Sequence, residues 1–137
     1  MDSRATNTLC LLVLSGGLDR LVAAVNLAAS AQALGRKVIL FLSWEPLLRL
    51  ARGTLDEAPL PESLGETAQG AREILAKYPS LVEMLAGLRQ GGMKLYACSN
   101  TLQVLGISQD ELTGKVDGVS GAAALLSMAE NAQILCL

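Results

Sequence analysis

Residues 9–17 read LCLLVLSGG, an unbroken apolar run that ends in a serine and two glycines. An apolar run without alternation is typical of a central parallel strand that is buried on both faces. An alanine-rich stretch follows, with Asp19 placed to cap a helix and Gly35 placed to end it. A second apolar run, KVILFL at 37–42, predicts the next buried strand. Strand, helix and strand in this order indicate a parallel α/β sheet.

The rest of the chain continues the alternation of strands and helices. Further helices are predicted at 45–52, 66–78, 80–90, 99–105 and 121–130, and further strands at 93–97, 115–119 and 132–137. We therefore expect a three-layer α/β/α sandwich with a mostly parallel five-stranded sheet. A four-stranded core remains the alternative if 115–119 does not pair.

The length of 137 residues indicates one domain that spans 1–137. Residues 1–7 are polar and predict a flexible tail. Residues 53–65 contain two prolines with acidic neighbours and predict a long surface loop, of the kind that is often functional or mobile.

The composition excludes several classes of function. Hydrophobic residues make up 51% of the chain, charged residues 18% and aromatic residues 3%, so leucine, alanine, valine and isoleucine must build the core. A chain this apolar favours burial against copies of itself. The net charge of −2 argues against nucleic acid as a partner. The N-terminus lacks a signal-peptide layout, and the longest uncharged stretch, 21–35, is too short to cross a bilayer. We expect a cytoplasmic protein with no membrane partner.

The chain contains three cysteines and no histidine. Without histidine, zinc sites of the usual kind and Ser–His or Cys–His nucleophile pairs are excluded, and no metal or cofactor is expected. Cys10 and Cys136 lie within apolar strands and are expected to be small buried hydrophobic residues. Cys98 differs, because it follows a predicted strand and precedes a helix. That position favours partial exposure and a lowered thiol pKa, although a packed residue at a helix start remains the alternative.

Two other features lie at the same predicted sheet edge. Gly16 and Gly17 follow the first strand, where a glycine-rich turn can hold phosphate on its backbone N–H groups. The sequence matches neither GxGxxG nor GxxxxGK[ST], so a tight turn is the simpler interpretation. Trp44 follows the second strand, where it can either wall a pocket over Cys98 or fill a subunit interface.

The second half of the chain resembles a known family. The stretches LYACSN at 95–100 and LGI at 105–107, then Glu111-Leu112, Val116, Gly118 and the alanine-rich end at 122–137, resemble the DsrE/DsrF-like family. The resemblance implies a Rossmann-like domain that assembles into trimers or hexamers. It also implies that Cys98 corresponds to the cysteine that carries sulfur as a persulfide in better-understood members. This sequence departs from the family pattern in two places. Position 102 is leucine, where similar sequences commonly have methionine, and the proline-containing loop at 53–65 has no strong counterpart in the pattern.

The resemblance predicts a sulfur carrier or sulfurtransferase-like protein. A thiolate on Cys98 would take sulfane sulfur from a donor and release it to an acceptor thiol, and sulfur donor and acceptor proteins would be the partners. Backbone N–H groups after Cys98, with the Ser99 and Asn100 side chains, are the candidate stabilisers. A non-catalytic oligomeric α/β module that binds a ligand or partner at this edge is the alternative. A thiol peroxidase is a weaker third possibility, since no resolving cysteine lies near Cys98 in the sequence.

Overall fold

The sheet contains five parallel strands. The computed structural model describes residues 7–137, so the predicted tail lies outside the described residues except for residue 7. The strands are β1 (Thr8–Val13), β2 (Lys37–Leu42), β3 (Lys94–Cys98), β4 (Gly118–Ser120) and β5 (Gln133–Cys136). They are arranged in the order β4-β3-β2-β1-β5, and every neighbouring pair is parallel. The predicted five-stranded α/β sandwich is therefore confirmed.

Six helices connect and flank these strands. They are α1 (Leu18–Ala33), α2 (Trp44–Arg52), α3 (Thr67–Leu75), α4 (Leu81–Gln90), α5 (Ser99–Leu105) and α6 (Ala122–Met128). Among residues 7–137, no helix has the length and apolar character needed to cross a membrane.

The two faces of the sheet are covered unequally. From β1 to β4, each connection leads to the next strand along the sheet in the same direction. The last connection, from β4 to β5, runs back across the sheet to the other side of β1. Because parallel crossovers are right-handed, this reversal places α6 on the face opposite α1. The main core lies on the α1 face, and a smaller cluster of Cys10, Phe41, Leu125 and Ala129 lies beneath α6. One short helix thus covers the second face.

Three local predictions differ from the structure. Asp19 lies in the first turn of α1, whose N-cap is Gly17, and its side chain makes no capping hydrogen bond there. The strand predicted at 115–119 is shorter and begins later in the sequence, at Gly118–Ser120, because residues 115–117 precede the paired part of the segment. The segment 53–65 contains two short 3₁₀ turns, and Leu55 and Ala58 within it are buried, so it packs on the core instead of lying wholly on the surface.

Asp117 fixes the strand that leads to Cys98. Its backbone N–H donates to the Leu95 carbonyl over 2.7 Å, and its Oδ2 accepts the Leu95 N–H over 2.7 Å. Arg89 donates to both oxygens of the same carboxylate, over 3.2 and 3.1 Å. Asp117 therefore continues the β3–β4 pairing beyond the three residues of β4, and it ties that pairing to α4.

Candidate functional site

The carboxyl ends of all five strands lie along one edge of the sheet, because all five are parallel. Ligands of open α/β sheets bind outside this edge, most often where the strand order reverses. Here the reversal falls between β1 and β5, beside the Gly16–Gly17 turn. Cys98 ends β3, two strands from β1, so the thiol and the glycine turn are separate positions on the same edge.

Cys98 has the position that the sequence predicted. It is the last residue of β3 and the N-cap residue of α5, and its side chain is half-buried. The thiol packs against both hydrophobic clusters, while Ser120 pairs with it in register on β4. Its side chain accepts no capping hydrogen bond within the described chain. A free, partly accessible thiol at a strand end can act as a nucleophile.

Ser99 and Asn100 begin α5 directly after the thiol. Both are exposed, so their hydroxyl and amide groups are available to a ligand. Gly121 packs beside Ser99, since a Cβ built on it would lie 3.5 Å from Ser99 Oγ. The proposed role of Ser99 and Asn100 as stabilisers stays a prediction.

Trp44 begins α2 in an unusual backbone conformation. Its φ of 49° is the only positive value at a non-glycine residue among residues 7–137. A bulky side chain rarely adopts this conformation, and such strain is commonly found at functional sites. The Trp44 N–H donates to Thr101 Oγ1 over 3.1 Å, which ties the end of β2 to α5 just after Cys98. The side chain is 46% exposed, which is compatible with both a pocket wall and a subunit contact.

The Gly16–Gly17 turn has the features of a tight turn. Gly17 has a φ of 110°, a conformation that favours glycine. The Glu45 carboxylate lies against Gly16, so closely that a Cβ there would overlap with it. Because a carboxylate repels phosphate, this contact favours the tight-turn interpretation of Gly16 and Gly17 over an anion-binding one.

The other two cysteines have contrasting environments. Cys10 is fully buried as expected, and burial, with a smaller contribution from Cys136, raises the pKa of its thiol. Cys136 was expected to be buried but is exposed. The prediction was wrong because β5 is an edge strand that pairs only with β1, and α6 leaves its outer residues uncovered.

Sequence reasoning missed three hydroxyl residues at this edge. Ser43, Thr101 and Ser120 are the buried polar residues of the part of the chain that the structure describes. The available signal was a serine at or after two strand ends and a threonine in the helix turn that follows a third. Nothing in the sequence alone showed that these side chains are buried.

These observations define a small Rossmann-like α/β protein with one half-buried thiol at the carboxyl edge of its sheet. The chain belongs to the DsrE/DsrF/DrsH-like family, whose family model matches residues 65–137. The matched part contains β3, Cys98, α5 and every later element. A search of curated proteins finds no significant match.

Two solved structures share the fold. The conserved protein of unknown function BT1422 from Bacteroides thetaiotaomicron is 14% identical, with a TM-score of 0.66 and 100% of each chain covered. The protein of unknown function MTH1491 from Methanobacterium thermoautotrophicum is 16% identical, with a TM-score of 0.60, over 95% of this chain and 98% of that one. At these identities the likeness establishes the architecture over nearly the whole chain.

Proposed function

We propose that this protein carries sulfane sulfur on Cys98 as part of a sulfur relay. The observation that carries the proposal is a free, half-buried thiol at the end of β3 and the start of α5, within the family-matched part of the chain. Membership of a DsrE-like family suggests a relay-type function. The three cysteines of the chain are free, which accords with a cytoplasmic location for such a relay.

The transfer requires only thiol chemistry. The Cys98 thiolate attacks the outer sulfur of a donor persulfide, R–S–SH, so that the donor S–S bond breaks and R–S⁻ leaves as Cys98–S–SH forms. An acceptor thiolate then attacks the outer sulfur of Cys98–S–SH, which regenerates the Cys98 thiolate and gives the acceptor persulfide. Sulfur changes carrier without net oxidation or reduction, and no imidazole or metal takes part.

The carrier role is tested by sulfur loading. The protein is incubated with polysulfide or thiosulfate, desalted into thiol-free buffer, and weighed intact. We expect a mass increase of about 32 Da that disappears in Cys98→Ser and persists in Cys136→Ser and Cys10→Ser. Cys136→Ser is the essential control because that thiol is the exposed one. The absence of an adduct, or an adduct that survives in Cys98→Ser, contradicts the proposal.

We also propose that the chain associates with copies of itself through the α6 face. Leu126, Met128 and Ile134 are exposed on α6 and β5, although they are large and apolar. Such groups are favourable at homo-oligomer interfaces. The family resemblance suggests a trimer or hexamer, which light scattering coupled to size exclusion measures directly. Leu126→Glu with Ile134→Glu should give monomers, and unchanged mass would contradict this interface.

The same apolar face favours the second candidate function, a non-catalytic oligomeric module with Cys98 as a packing residue. The loading experiment separates the two candidates. A carrier retains sulfur on Cys98 in the assembled protein, whereas a packing thiol takes up none even when the oligomer is intact.

A further inference from the structure

The three buried polar residues of the range 7–137 lie close to Cys98 in sheet register or in sequence. They are Ser43, Thr101 and Ser120, with exposed fractions of 3%, 1% and 7%. Ser120 pairs with Cys98 across the β3–β4 ladder. Ser43 follows Leu42, whose ladder partner is Ala97, so Ser43 and Cys98 are the next residues on adjacent strands. Thr101 lies in the first turn of α5.

Two of these three hydroxyl groups donate a hydrogen bond within the described residues, and the third does not. Ser43 Oγ donates to the Val13 carbonyl over 3.4 Å, and Ser120 Oγ donates to the Gly121 carbonyl over 3.1 Å. Thr101 Oγ1 accepts the Trp44 N–H but donates to no acceptor within the described residues. A buried hydroxyl proton without an acceptor is unfavourable, and here the unused donor belongs to the most deeply buried of the three side chains.

Thr101 lies three residues after Cys98, in the first turn of the helix that Cys98 precedes. Cys98 is the N-cap residue of α5, and Thr101 is the third residue of the helix. In a capping box the side chain at each of these two positions hydrogen-bonds to the backbone N–H of the other residue, so side chains at these positions lie within one helical turn of each other. The free thiol makes no such bond here. A persulfide adds a second sulfur about 2.0 Å beyond the first, which extends the reach of Cys98 toward its neighbours.

We propose that the Thr101 hydroxyl donates a hydrogen bond to the outer sulfur of a persulfide on Cys98 and stabilises its anionic form. This role rests on the proposed carrier function and assigns to it a residue that contacts the carried sulfur. The same oxygen accepts the Trp44 N–H, so it cannot turn away without leaving that N–H unpaired. The strained Trp44 backbone thereby holds the donor in place before sulfur arrives.

The test compares Thr101→Val, which keeps the shape and removes the hydroxyl, with Thr101→Ser, which keeps the hydroxyl. Each protein is loaded with polysulfide, and the rate at which its persulfide is alkylated is measured across pH. Thr101→Val should raise the pH midpoint of this reaction by about one unit, as expected for loss of one hydrogen bond to a charged acceptor. Thr101→Ser should restore the wild-type midpoint. Thr113→Val, the same change at an exposed threonine, should leave the midpoint unchanged.

A second measurement needs no substitution. In wild-type protein with carbon-13-labelled threonine methyl groups, sulfur loading should shift the Thr101 resonance and leave that of Thr113 in place. This keeps the proposal testable if Thr101→Val does not fold. Failure of wild-type protein to load sulfur on Cys98 would overturn the carrier function itself. Normal loading with an unshifted Thr101 resonance, or with an unchanged midpoint in Thr101→Val, would overturn only the role of Thr101.

Discussion

Replacing Asp117 with alanine should destabilise the protein substantially, although the residue lies outside the main core. The substitution removes the acceptor for the Leu95 N–H and both acceptors for Arg89. A hydrogen bond from a partly buried amide to a charged group contributes about 1.5–3 kcal/mol. The Arg89 pair, with each side chain 23% exposed, adds about 0.5–1 kcal/mol. We therefore expect a loss of about 2–4 kcal/mol in the free energy of unfolding.

The loss can be measured by urea denaturation and by thermal melting at neutral pH. For a domain of this size it corresponds to a fall of about 6–16 °C in Tm. Asp117→Asn keeps a neutral acceptor for Leu95 and should lose less, about 1–2 kcal/mol. Arg89→Ala and the double variant complete a cycle that isolates the ion pair. A cost below about 0.5 kcal/mol for Asp117→Ala would refute the bracing role of this carboxylate.

The same prediction has a pH signature. Burial alone raises the pKa of Asp117, but hydrogen bonds from Arg89 and Leu95 outweigh it and hold the pKa below its usual value. A carboxyl whose folded pKa is depressed stabilises the protein above its unfolded pKa of about 3.9, and that stability is lost as pH falls through the lower folded pKa. The stability difference between wild type and Asp117→Ala should therefore be full at pH 6 and shrink below about pH 4. A difference that stays constant across this range contradicts the assignment.

Two further predictions concern the glycine turn and the thiols. Gly17→Ala should lower the free energy of unfolding, measured by urea denaturation, by about 1–3 kcal/mol, because Gly17 has a φ of 110°. A Cβ at Gly16 meets only the flexible end of the Glu45 side chain, so Gly16→Ala should lower it by less than about 1 kcal/mol. Equal losses in the two variants would contradict this reasoning. Timed alkylation with mass mapping should modify Cys136 readily, Cys98 measurably, and Cys10 only after unfolding, because Cys10 is fully buried and burial raises its thiol pKa. Labelling of Cys10 in the folded protein would contradict this and would show that α6 moves away from the sheet face that contains Cys10.

The sequence was most informative where structure is decided locally. The apolar runs of β1 and β2 are buried because central strands are covered on both faces, and Gly35 and Gly106 end helices with the positive φ that glycine tolerates. Ser108 caps the turn that contains Glu111, through hydrogen bonds between residues two and three positions apart. These features depend on neighbours a few residues apart.

Features that depend on distant pairing were not available from the sequence. Cys136 lies in an apolar run like that of Cys10, but only the strand order shows that one is central and the other lies on an edge. The Trp44–Thr101 hydrogen bond joins residues 57 positions apart. The burial of Ser120 follows from its register with Cys98. The position of the candidate thiol was therefore predictable, whereas the groups that surround it were not.

The contact between Trp44 and Thr101 also gives the protein an intrinsic optical probe. Trp44 is the single tryptophan of the chain, and its indole is partly exposed. Its backbone is held by the helix turn that follows Cys98. Indole emission responds to changes in local polarity, so an event that alters this backbone contact can be followed in real time without a label. The fluorescence of the unmodified protein can thus follow its unfolding and any rearrangement of the Trp44–Thr101 contact.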